Sequence, residues 1–151
     1  MAAALLALAA ALAAASEVSR NSYREAVEPI CQANTRANER ILGGVRSEVK
    51  RNRLGPAALR FAKAAKALKR TLRELQAVPQ PAVDQPRLAR WFRLVGAEAS
   101  LFERVAAKLR ASQKGAAEAM VIRLEHNAQL ANDAVLPFEF QYCRFEPSRF
   151  T

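Results

Sequence analysis

The sequence predicts an all-α protein: an antiparallel up-down-up-down four-helix bundle with an extended aromatic C-terminal tail tied back by a disulfide. Three observations carry that prediction. The 151 residues are dominated by Ala, Leu, Arg, Lys and Glu, with only five glycines and seven prolines. That composition favours helix and leaves too few turn formers for an all-β fold. Apolar residues recur at helical spacing in four segments bounded by Gly or Pro. Half of the ten aromatic residues and one of the two cysteines fall in the last fourteen positions, FEFQYCRFEPSRFT, a stretch unlike anything before it.

Residues 1–15, MAAALLALAAALAAA, hold no charge and no turn former. The fourteen apolar residues that follow Met1 fall short of the roughly 20 needed to span a bilayer. They match the apolar core of a signal peptide, with Ala11-Leu12-Ala13 or Ala13-Ala14-Ala15 as the small-x-small cleavage pattern. A secretory leader also carries basic residues ahead of its apolar run, and here only Met1 precedes it. Either the start lies upstream or the run is an Ala-rich soluble helix. The expectation is a single exported domain over residues 16–151, secreted or extracytoplasmic, whose mature chain begins between about Ala14 and Glu17. Anchoring in a membrane through residues 2–15 is the alternative, and Arg20 and Arg24 just beyond the run disfavour it.

The first helix is expected over about 22–50, where Ser22 and Glu25 have the spacing of a capping box. Its inward positions are Tyr23, Val27, Ile30 or Cys31, Ile41, Val45 and Val49. Pro29 either kinks it or stands in its first turn, and Gly43-Gly44 weakens it. Gly55-Pro56 opens the second helix, about 56–77, with Phe61, Ala65, Leu68, Leu72 and Leu75 in one stripe. The prolines of VPQPAVDQP stop it. A third helix, about 87–112, turns Leu88, Trp91, Val95, Phe102, Val105 and Leu109 inward. After a break at Gly115, a fourth helix over about 116–136 does the same with Met120, Leu124, Asn127, Ala131 and Ala134 or Val135. Pro137 ends it and the tail covers 137–151. Four amphipathic helices joined by short connections make an up-down-up-down bundle.

That topology brings the start of the first helix and the end of the fourth to one end of the molecule. Cys31 is near the former and Cys143 just past the latter, so with an export-like leader the pair reads as one disulfide. Two free buried thiols are the alternative. Phe138, Phe140 and Tyr142 alternate, so an extended segment would turn them to one side. There they would plug the open end of an Ala-rich bundle; the competing reading is a docking patch.

The segments ICQANTRANERI and LRELQAVPQPAVD, the helix containing Trp91, and CRFEP together resemble small exported helical proteins of high-GC Gram-positive bacteria. These have an early Cys-x-Ala-Asn, a Pro-rich hinge at mid-chain and a late cysteine. The resemblance spans nearly all of the chain beyond the leader. It implies a fold and a location, and it implies no activity.

No residues stand at the spacing of a phosphate loop, a nucleophile elbow or a catalytic triad. His126 is the only histidine. With Glu118, Glu125 and Asp133 it supplies neither a zinc set nor the paired Glu-x-x-His of a di-iron bundle, so no metal or cofactor is expected. Asn34, Asn38 and Asn127 read as polar contacts that set helix register. Asn34 is expected to face the core and bond Asn127 or the tail backbone.

The formal charge is +10, of which the stretch Arg46–Glu74 carries +8. On the second helix Lys63, Lys66, Lys69, Arg70 and Arg73 lie opposite Phe61, Leu68 and Leu72. Such a basic amphipathic helix suits an acidic lipid or polymer surface. Nucleic acid fits less well, because no aromatics interleave the basic residues and no nucleic-acid motif is present. The plain alternative is a solvated Lys/Arg face. These features point to a non-enzymatic exported bundle, a structural or interaction module at the cell envelope. A polyanion-binding protein is the second reading. An enzyme is a distant third, and no small-molecule substrate is evident.

Overall fold

The computed structural model describes residues 17–147, so the apolar segment 1–15 and the last ring, Phe150, lie outside the described residues. Five α-helices succeed one another: α1 Arg20–Leu42, α2 Val45–Lys50, α3 Leu54–Ala77, α4 Gln85–Arg110 and α5 Lys114–Ala134. A single 3-10 turn at Ala82–Asp84 leads into α4, and another at Leu136–Phe138 leads into the C-terminal tail. The four long helices form the expected bundle. The starts of α1 and α4 meet through Arg20 and Asp84, whose atoms approach to 2.6 and 2.9 Å, and Tyr23 of α1 meets Phe138 beyond the end of α5. Alternating directions are a consequence of those contacts.

The start of α1 differs from the sequence expectation. Its cap is Ser19, not Ser22: the Ser19 hydroxyl accepts from the Ser22 N–H, and the Ser22 hydroxyl accepts from the Ser19 N–H. Ser22 thus fills the position that Glu25 was expected to fill, three residues earlier in the chain. Val18, just before the cap, is partly buried on the core, the place of a hydrophobic staple. The early start places Arg20 in the first turn, against the helix dipole. The fork-like bond to Asp84 offsets this, and the guanidinium holds the Asp84 carboxyl below its ordinary pKa. Pro29 lies inside α1 on its exposed side, so the missing N–H faces away from the core.

The expected first helix is also divided in two. Gly44 has φ +83°, a left-handed conformation open to glycine at little cost, and it ends α1 and starts α2. Arg60 of α3 ties both pieces down, donating to the Ile41 carbonyl oxygen at 2.9 Å and to Glu48 at 3.0 Å. At the α4–α5 junction the left-handed residue is Ser112, and Gly115 belongs to the first turn of α5. α3 begins at Leu54, so Pro56 is its third residue. There too the proline N–H would have had no partner within the helix.

The predicted inward positions are buried almost throughout. Leu88, Trp91, Val95, Phe102, Val105 and Leu109 line α4, and Leu124, Asn127, Ala131 and Ala134 line α5. Small residues at Ala57, Ala58, Ala64, Ala65, Ala99 and Ala106 let α3 and α4 approach closely. α1 packs on α3, α3 on α4 and α4 on α5. α1 and α5 are not a closely packed pair, and the chain after Phe138 runs between them, bonded to each.

The disulfide between Cys31 and Cys143 joins residues 112 apart in sequence, with Cα atoms 5.0 Å apart. Just before it, Phe138 and Phe140 are 1% and 5% exposed. Phe138 lies edge-on to Tyr23 at 5.6 Å, Phe140 is 5.5 Å from Trp91, and the two rings stack at 5.2 Å. The rings plug the bundle end, though not by strand-like alternation. Phe138 is in a 3-10 turn, Glu139 is left-handed at φ 53°, and Tyr142 is only half-buried. Each buried ring contributes about 1.5–3 kcal/mol. Replacing both cysteines by Ser leaves the rings in place. The expected outcome is a folded protein destabilised by about 4–5 kcal/mol, read from denaturant midpoints. Cutting after Leu136 removes bridge and rings together, uncovers Tyr23 and Trp91, and is expected to produce dye-binding, aggregating protein. A truncated form as stable as the full chain would show the tail to be dispensable.

Candidate functional site

Beyond the disulfide the tail is held through its main chain. The Glu28 carboxylate on α1 accepts the N–H groups of Gln141 and Tyr142, the latter at 2.8 Å. On the other side, Asn132 of α5 accepts from the Phe145 N–H at 2.8 Å and donates to the Phe145 carbonyl at 2.9 Å. Asn132 therefore satisfies the amide as a neighbouring strand would. Arg24 adds an ion pair to Glu139 at 3.5 Å. Two helices that do not close on each other are bridged by a peptide segment.

Beneath that segment lies a cleft of about 370 Å³, walled by α1, α3, α4 and the tail. Its apolar lining includes Leu68, Leu75 and Phe102, and its polar lining Asn34, Asn38, Thr71 and Glu98. Asn34 faces inward as expected, but its partner is Thr71, whose hydroxyl donates at 3.2 Å. The pairing of Asn34 with Asn127 does not form. Asn127 instead donates to Glu98 at 2.6 Å and to the Leu94 carbonyl at 2.9 Å, which orients a carboxyl group only 1% exposed. The second Glu98 oxygen, Oε1, and Asn38 Oδ1 are buried without a hydrogen-bond partner among the described residues, as are the Tyr23 hydroxyl and Trp91 Nε1. Burial pushes the Glu98 carboxyl up to about 7, against the opposing pull of the Asn127 amide.

Sequence alone does not single out Glu98, which passes there for a surface acid between two alanines. One signal is available: it is seven residues after Trp91 and four before Phe102, on the stripe that faces inward. His126, Glu118, Glu125 and Asp133 are exposed and do not converge. No group of three metal-ligating side chains forms among the described residues. A second, more apolar hollow of about 330 Å³ lies at the far end, between Val45, Val49, Phe61 and Val121.

The five basic residues expected on the outer face of α3, Lys63, Lys66, Lys69, Arg70 and Arg73, are all exposed, but they are not equivalent. Lys69 bonds Glu103 of α4 at 2.6 Å, and Arg70 stands 3.9 Å from Glu74. Lys63, Lys66 and Arg73 form no ion pair among the described residues and make the more open part of the face. Among the described residues no helix is long and apolar enough to cross a membrane. The disulfide indicates an oxidising, extracytoplasmic environment. Comparison with protein-family models, curated proteins and solved structures returns no match, so the site is read from its own geometry.

Glu98 makes a testable contribution to stability. An unfolded glutamate releases its proton at about pH 4.3, whereas folded Glu98 holds it until about pH 7. Between these values the folded chain binds the extra proton, so this group's contribution falls as pH rises through the window and levels off above it. Relative to wild type, Glu98→Gln is expected to gain up to about 3 kcal/mol by pH 8 and almost nothing at pH 4. Urea denaturation of both proteins across that range measures the difference, and parallel curves would show that Glu98 titrates normally.

Proposed function

We propose that the protein is a non-enzymatic exported helical bundle that acts as an interaction module at the cell envelope. The observation that carries this reading is the Cys31–Cys143 bridge. A cross-link of this kind persists in oxidising compartments and is rare in the cytosol. The export-like segment 1–15 and the resemblance to small exported proteins of high-GC Gram-positive bacteria agree with it. A tail fixed by covalent bond, carboxylate and carboxamide also suits a domain that must stay folded outside the cell.

A second reading, binding of a polyanion through α3, is favoured by one observation: Lys63, Lys66 and Arg73 are exposed on one helix and have no acidic partner among the described residues. Acidic lipid or wall polymer is the matching chemistry. Lys69 and Arg70 contribute less, because Glu103 and Glu74 offset their charge.

Fractionation of the source cells tests the first reading. The expected outcome is a chain recovered outside the cytosol, starting near Ala14–Glu17, with no free thiol under denaturing, non-reducing conditions. Full-length, reduced protein confined to the cytosol overturns it. For the second reading, reversing Lys63, Lys66 and Arg73 to Glu is expected to abolish retention on anionic vesicles while helicity is unchanged. Reversing Arg87, Arg90 and Arg110 is the control, and equal loss from both sets would mean that net charge alone is responsible.

A further inference from the structure

Burying a carboxyl group is costly unless its oxygens are hydrogen-bonded, and an apolar residue of similar volume is often the more stable choice. Glu98 is 1% exposed, and only the oxygen facing Asn127 has a partner. From α1, Asn38 enters the same cleft, 8% exposed, and its side-chain oxygen is likewise without a partner among the described residues. Two residues with buried, unpartnered acceptors, from two helices, thus line one cavity, whose apolar wall includes Leu68, Leu75 and Phe102. Its volume of about 370 Å³ lies within the usual range for small-molecule pockets, roughly 300–1,000 Å³.

We propose that this cleft binds a small organic amine, whose ammonium group donates to Glu98 Oε1 and Asn38 Oδ1 while its hydrocarbon part lies against Leu68, Leu75 and Phe102. The chemistry selects the ligand class. Both open atoms are acceptors, so the ligand brings donors, and an ammonium offers up to three on one compact centre. It also neutralises the carboxylate that burial disfavours, and a nearby aromatic ring such as Phe102 attracts cations. A carboxylate or phosphate would set acceptors against acceptors. An alcohol has one donor for two acceptors.

The other charged groups around the cleft come in opposite signs: Arg36 and Glu39 from α1, Arg144 and Glu146 from the tail. Tyr142 of the tail is the remaining titratable side chain of the lining. α3 contributes only the uncharged Leu68, Thr71 and Leu75, and α5 faces Glu98 with the neutral amide of Asn127. The overall charge of +10 is screened beyond about 8 Å at physiological salt, so it does not decide affinity inside the cleft.

Calorimetric titration of the disulfide-intact protein with phenethylamine tests the proposal, with 2-phenylethanol and 3-phenylpropionate as shape-matched probes. Phenethylamine is expected to bind saturably, and about tenfold more tightly at pH 8 than at pH 6, because Glu98 must give up its proton first. Glu98→Gln is expected to weaken binding at least tenfold, by about the same order as the pH effect, and to remove that pH dependence. Asn38→Ala is expected to weaken binding several-fold and leave the pH dependence intact; Arg123→Glu, at an exposed position on α5, is expected to change neither. The proposal is overturned if 2-phenylethanol binds as well as the amine, or if Glu98→Gln has no effect. It is equally overturned if no heat of binding develops by concentrations on the order of 10 mM, which would mean that the cleft holds ordered water only.

Discussion

Cys143 stands 112 residues beyond Cys31, yet their Cα atoms are 5.0 Å apart, and the loop they close contains α2, α3, α4 and α5 entire. Everything at that end of the bundle is arranged around this crossing. With the tail fixed to α1, Phe138 and Phe140 are delivered between Tyr23 and Trp91, and the backbone of 141–145 is brought within reach of Glu28 and Asn132. The cross-link narrows the unfolded ensemble, while the rings and the main-chain bonds supply what the native state gains. These contributions reinforce each other, because each places the tail in the same register.

The tail also decides what kind of interior the bundle has. Helices that closed on all sides would leave a uniform apolar core. Here a peptide segment stands on one side, and the space beneath it contains a carboxyl group and three amides or hydroxyls, from Asn34, Asn38 and Thr71. Asn127 fixes one oxygen of Glu98 from behind, so the other is held in place and not free to find a partner of its own. The distribution of polarity is therefore asymmetric: one end is sealed by stacked rings, and the neighbouring stretch is polar and partly open.

Much of the architecture is legible in the sequence because it depends on spacing. Helical periodicity places Trp91, Val95, Phe102 and Leu109 in the core, and chain topology together with the export-like leader pairs Cys31 with Cys143. Spacing identifies a face but not a partner, which is why the inward face of Asn34 is predictable and its bond to Thr71 is not. The boundaries move where two local solutions compete. Ser19 with Ser22 wins over Ser22 with Glu25 at the first cap, and Gly44 takes a left-handed turn that divides the expected first helix. Glu98 is hidden for a different reason: charged residues are so rarely buried that its position on the inward stripe is outweighed by its type. Glu28 and Asn132 are beyond reach, since what they bind is main chain more than a hundred residues away in one case and past the end of the helix in the other.

The tail that completes the fold is made only after all five helices that it follows in the chain. α3, α4 and α5 pack in sequence order and need only their neighbours, so they can assemble as they emerge. The end that holds Tyr23 and Trp91 must wait for Phe138 and Phe140, and until then it presents apolar surface of the kind that chaperones and proteases recognise. A chain interrupted anywhere before Phe138 would therefore carry its defect in the open. The arrangement lets a cell detect, from the outside of the molecule, whether synthesis has passed the two rings.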